Sequence, residues 1–151
     1  MAGRRLPPPL ARLLLERFKW FESALLQRLE DAGYPGLGVS HSALFAALDR
    51  DGTRPAELAR RLGVTRQSAH QTIHELVAMD LLELVADPED GRASLARLTA
   101  AGRDHVKVAR GIFKDLEGVL EKRIGSKNVD ALRRSLSMDW GDRAVTRAVG
   151  K

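Results

Sequence analysis

The sequence predicts a mainly α fold with one small β-hairpin: an α+β winged helix-turn-helix, with a helical dimerisation region drawn from both termini. Three observations predict it. Two short amphipathic segments, PAELARRL and RQSAHQTIHEL, are joined by a three-residue turn that begins at Gly63. Leu82, Leu84 and Ala86 alternate with Glu83, Val85 and Asp87, and LARL follows the turn-rich DPEDGRA, which is the pattern of a hairpin. Apolar residues also recur at three- and four-residue steps over residues 10–30, and again from Thr99 to Gly125.

A chain of 151 residues fits one domain, 1–151, that buries about two-thirds of its unfolded surface. The absence of cysteine excludes disulfides, thiolate metal sites and thiol redox chemistry. No apolar run approaches the ~20 residues of a membrane span, and MAGRRLPPPL is not followed by a signal-type apolar core, so a cytoplasmic protein without membrane association is expected. The net charge of +5 suggests a polyanionic partner, and its distribution matters more than its total.

The first helix begins after PPP and carries Leu10, Leu14, Phe18, Phe21, Leu25 and Leu29, with Leu13, Leu15, Trp20, Ala24 and Leu26 widening the stripe. So wide a face implies burial on two sides, one of them against a second subunit. After GYPGLG, Ser40 is the expected cap of a short helix with Leu44, Phe45 and Leu48, closed by DRDG with Gly52 left-handed. Thr53 is the next expected cap, ahead of Pro55 in a first helical turn, and Leu58, Ala59 and Leu62 face inward. Thr65 caps the following helix, whose apolar face is Ala69, Ile73, Leu76 and Val77. The long helix from Thr99 ends at Gly125, and Ser126 is expected to cap a last helix with Val129, Leu132 and Leu136. The expected division is a lobe at 40–98, holding the helix-turn-helix at 53–80 and the wing at 82–98, with dimerisation helices at 8–32 and 99–140.

The outer face of the second helix of the pair, with Arg66, Gln67, His70, Gln71 and His74, is polar without being acidic. Arg and Gln side chains can bind guanine and adenine edges in bidentate fashion. Arg60 and Arg61, with backbone amides at helix starts near Thr65 and Ser68, are candidates to hold phosphates. Residues 53–74 hold four arginines against Glu57. The partner this implies is double-stranded DNA. His70 and His74 stand four apart, as in a zinc-protease helix, but Gln71 occupies the place of the general base. Without that acid or a third ligand, no metal, cofactor or enzymatic activity is expected.

In this order and spacing, PAELARRLGVTRQSAHQTIHEL, DPEDGRA and LTAAG resemble the MarR family of winged-helix transcription regulators over nearly the whole chain. The resemblance implies a homodimer built by the first helix and the last two, with the helix after the turn in the major groove. It implies an Asp-x-Arg wing at the minor groove, matched by Asp90 and Arg92. It also implies a small aromatic or anionic effector between the first, second and long helices, with Lys19, Trp20, Phe21, His41, Phe45, His105 and Phe113 as lining candidates. The function so implied is a ligand-responsive repressor binding a pseudo-palindromic operator; the competing class is a winged-helix protein-interaction module.

Within that picture Arg92 suits a narrow groove of concentrated negative potential. Asp90 would hold the tip by accepting hydrogen bonds. Asp87, Pro88 and Gly91 read as turn chemistry. Residues 82–98 carry a net −2, which departs from the family's basic wing and weakens the expected attraction.

Overall fold

The computed structural model describes residues 7–141, so the outer ends of the expected 1–151 domain lie outside the described residues. Two compact units, Met1–Lys114 and Asp115–Lys151, divide the chain. The first contains α1 (Leu10–Asp31), α2 (Val39–Ala47), α3 (Pro55–Leu62), α4 (Arg66–Ala78), β1 (Leu82–Asp87), β2 (Asp90–Leu98) and the start of α5 (Ala100–Ile124). The second contains the end of α5 and α6 (Ser126–Ser137). This is the mainly α fold with one antiparallel hairpin that the sequence predicts.

The core of the first unit is Leu44, Leu58, Ile73, Leu76, Leu81, Leu82 and Ala96, so α2, α3, α4 and the base of the hairpin share one apolar centre. Ala59 and Ala69 are buried, as small residues must be where α3 and α4 approach closely. Gly63 ends α3 in the left-handed conformation (φ 66°, ψ 31°). Val64 N–H then returns to Ala59 C=O at 3.1 Å, turning the chain within three residues. Thr65 Oγ1 accepts Ser68 N–H at 3.1 Å and starts α4. At the start of α5 a cap that the sequence reading did not assign forms, with Gly102 N–H donating to Thr99 Oγ1 at 2.9 Å.

Three expected caps do not form, because a different residue precedes the helix in each case. α2 starts at Val39 rather than after Ser40, since the imidazole of His41 accepts the Gly38 N–H at 2.9 Å. Thr53 is drawn into a bridge with Ala96, exchanging N–H···O bonds of 3.0 and 2.9 Å, so Arg54 precedes the helix instead. Pro55 at the first helical position has no N–H to satisfy there. Gly125 (φ 86°) precedes α6, leaving Ser126 inside its first turn. Leu48, expected within α2, instead follows it with an extended backbone.

The hairpin turn is also tighter than DPEDGRA suggests. Asp87 Oδ1 accepts Glu89 N–H at 2.9 Å, an Asx turn that confines reversal to Pro88 and Glu89. The ladder pairs Asp87 with Asp90 and then Ala86 with Ser94, so Gly91, Arg92 and Ala93 form a bulge in β2.

One glycine is set by space. A Cβ on Gly102 would lie 2.0 Å from Leu81 O, because the first turn of α5 presses on the chain entering β1. Gly102→Ala is therefore expected to destabilise the protein by about 1–3 kcal/mol through overpacking, exceeding the ~1 kcal/mol of helix propensity that alanine adds. Urea unfolding of the two proteins checks this.

Candidate nucleic-acid interface

α4 presents two chemically opposite faces. Ala69, Ile73 and Leu76 are buried, while Arg66, Gln67, Ser68, His70, Gln71 and His74 are exposed with Thr65 at the helix start. The expected reading face thus lies on one accessible surface. Gln71 is partly committed, its Nε2 donating to Glu75 Oε1 at 3.1 Å. The other oxygen of Glu75 is 2.9 Å from His41 Nε2. Since His41 Nδ1 accepts from Gly38, Nε2 carries the proton and donates to Glu75. Both contacts hold the Glu75 carboxyl below its ordinary range, Gln71 first and His41 second.

Most arginines of the region are occupied within the protein. Arg61 donates to Glu57 Oε1 (2.8 Å), Ala47 O (2.8 Å) and both oxygens of Asp49 (2.9 and 2.8 Å), joining the end of α2 to α3. Arg60 forms a two-pronged pair with Glu57 at 2.8 and 2.6 Å. The two guanidinium groups, Arg60 foremost, hold the Glu57 carboxyl at a pKa of about 2. Arg54 Nε donates to Asp87 Oδ2 at 2.6 Å. Arg97 pairs across the strands with Glu83 at 2.9 Å. Among the described residues from 53 to 98, Arg66 and Arg92 are the guanidinium groups without a carboxylate partner.

This changes the meaning of the acidic hairpin. Asp87 is only 6% exposed, and it does more than shape a turn, since it receives both Arg54 and the Glu89 amide. Asp90 accepts the Arg92 N–H at 3.2 Å, setting the backbone of the bulge from which the exposed Arg92 side chain projects. Sequence reading missed Arg54 and Asp49 as partners. The only available signal was a surplus of acids in segments flanking an arginine-rich helix.

The effector candidates fall into separate places. Lys19 and Trp20 border a shallow open depression on α1 with Glu16, Arg17, Ser23 and Ala24. Trp20 and Phe21 meet edge to face at 4.9 Å, and Phe113 is substantially exposed. His41 serves the α2–α4 link. Phe45 and His105 do come together, with ring centroids 4.7 Å apart, and Tyr34, which sequence reading missed, lies 4.8 Å from His105. His105 is 3% exposed, and its Nδ1 has no hydrogen-bond partner among the described residues.

Residues 36–93 match the model of the MarR family. No curated protein matches the chain. Among solved structures, wild-type apo MarR from E. coli superposes with a TM-score of 0.71 at 22% identity, covering 87% of this chain and 96% of that one. The fold is the MarR winged helix. The transcriptional repressor CouR, bound to a 23-mer DNA duplex, gives 0.68 at 23% identity over 85% and 89% of the chains. CouR from Rhodococcus jostii bound to p-coumaroyl-CoA gives 0.69 at 20% over 89% and 93%. The MarR-matching segment runs from the turn before α2, through the helix pair, to the bulge that carries Arg92.

Burial pushes the His105 pKa down from its usual value. Between that lowered pKa and the unfolded value near 6.5, the unfolded chain binds more protons, so stability falls as pH drops through that window. His105→Phe keeps the aromatic contacts and removes the titrating group. The variant is expected to lose less stability than wild type from pH 7 to 5, measured by urea unfolding at each pH.

Proposed function

We propose that the protein is a MarR-type homodimeric transcription regulator, a repressor acting in the cytoplasm, that reads a pseudo-palindromic operator with α4 and touches the minor groove with Arg92. The observation that carries this reading is the selective freedom of Arg66 and Arg92. They are exposed and without acidic partners, one at the start of α4 and one in the wing bulge, whereas their neighbouring arginines are paired. The DNA-bound CouR relative supports the same use of the fold. In the proposed complex, Arg66 and Gln67 meet base edges, with His70 and His74 further along the same face. The Thr65 amide and the hydroxyls of Thr65 and Ser68 meet phosphate, the Ser68 amide being held by Thr65 Oγ1. Arg61 is left out of the interface, because four of its five N–H donors are already used.

Dimerisation is supported by exposed apolar residues on α1, including Leu10, Leu15 and Phe18, and separately on α6 by Leu132 and Leu136. A second copy would cover such residues at the gain normal for apolar burial. Two recognition helices would then enter major grooves about one helical turn apart. No helix among the described residues is long and apolar enough to cross a membrane. An effector of small aromatic-anion type is proposed near Tyr34, Phe45 and His105, with His105 Nδ1 as its polar contact. The p-coumaroyl-CoA complex of CouR is the supporting parallel.

Selection from a random duplex pool followed by filter binding tests the reading, with two-fold symmetric sites expected. Arg66→Ala is expected to cost about 1–3 kcal/mol on the selected site and to relax base preference. Arg92→Ala is expected to weaken binding and to lower the salt-dependence slope by about 0.9 if its groove contact also neutralises a phosphate. Failure to bind any duplex would favour the protein-interaction module.

Glu57→Gln provides an opposite prediction. Arg60 is 74% exposed and held by Glu57, so weakening that pair frees a guanidinium for phosphate. Affinity for random duplex is expected to rise, and the salt slope to steepen by about one contact. An unchanged slope would remove Arg60 from the interface.

A further inference from the structure

We propose that His70 and His74 form a two-imidazole chelate for a divalent ion of the nickel, copper and zinc group, and that this ion and DNA exclude one another on α4. The second part rests on the DNA-binding reading above, and the first does not. The two rings lie one turn apart on the exposed face of α4, with centroids 6.3 Å apart and planes 29° from parallel. Neither ring is hydrogen-bonded to another described residue, so both can rotate to bring one nitrogen each to about 2.0–2.1 Å from a shared ion. His41 and His105, in contrast, are buried, and His41 is already bonded on both ring nitrogens.

The donor set also selects the metal class. Imidazole nitrogen suits nickel, copper and zinc, whereas magnesium and calcium require oxygen cages. The nearest carboxylate on the helix, Glu75, is taken by Gln71 and His41. Among the described residues there is no group of three or more ligating side chains, so water would complete the shell. Such a site responds to metal excess rather than holding a resident structural ion. A hydrated ion there would occupy the space of a base edge and take both imidazoles out of hydrogen bonding with DNA, one turn along from Arg66 and Gln67.

The test uses the full chain without an affinity tag and Ni2+ as the probe, titrated by calorimetry, with circular dichroism confirming folded variants. One ion per chain is expected, and it should be lost in His70→Ala and in His74→Gln but retained in His105→Phe. Undiminished binding in the first two variants would overturn the chelate. With free Ni2+ at ten times its measured dissociation constant, wild-type affinity for the selected operator should fall about 11-fold and recover with EDTA. His74→Gln should show no such fall. Unchanged or increased DNA affinity with the site filled would overturn the exclusion. A chain that binds Ni2+ through these histidines but binds no duplex would overturn the DNA-binding reading and the exclusion together, leaving the chelate standing.

Discussion

The pair between Arg54 and Asp87 is the contact on which the arrangement of the lobe depends. Asp87 ends β1 and is nearly buried, where an unpaired carboxylate would be costly. Arg54 stands immediately before α3, and its guanidinium meets that carboxylate at 2.6 Å. One residue earlier, the Thr53 bridge to Ala96 ties the same stretch to β2 through backbone. The far end of the wing and the entry to the helix pair therefore behave as one piece. The left-handed turn at Gly63 carries that rigidity on to α4. The wing bulge and the polar face of α4 are positioned by this chain of contacts, not by the hairpin alone.

The same contacts resolve the electrostatic puzzle of an acidic wing in a basic chain. Acids at Asp49, Glu57, Glu83 and Asp87 hold Arg61, Arg60, Arg97 and Arg54. Phosphate contacts add affinity without sequence information, whereas base contacts discriminate. Under the proposed DNA-binding role, internal pairing of most local arginines would keep non-specific affinity low and concentrate attraction at Arg66 and Arg92. Glu57 acts in this scheme much as a phosphate would, holding Arg60 by two hydrogen bonds while its side chain stays exposed.

Much of the fold was legible because its signals are local. The apolar period of α3 and α4, Pro55 at a first turn, Gly63 after the last one and the alternation in β1 each depend on residues within a few positions. The caps assigned to Ser40, Thr53 and Ser126 failed for the complementary reason. A capping hydroxyl competes with every other donor and acceptor that the fold brings near, and Thr53 lost its place to a strand more than forty residues away. The bulge at Gly91–Ala93 was hidden in the same way, since register is a property of two strands and not of one.

By itself the sequence determined the helix-turn-helix, the hairpin and the polar face with Arg66, Gln67, His70 and His74, because periodicity and turn chemistry act over one or two turns of chain. Only the tertiary structure decided which charges remain available. Arg54 and Asp87 are 33 positions apart, and Arg61 and Asp49 are 12 apart, separations at which no periodic pattern predicts contact. An ion pair forms where two side chains are brought within a few ångströms, and that proximity is created by the shared core beneath α2, α3, α4 and the hairpin.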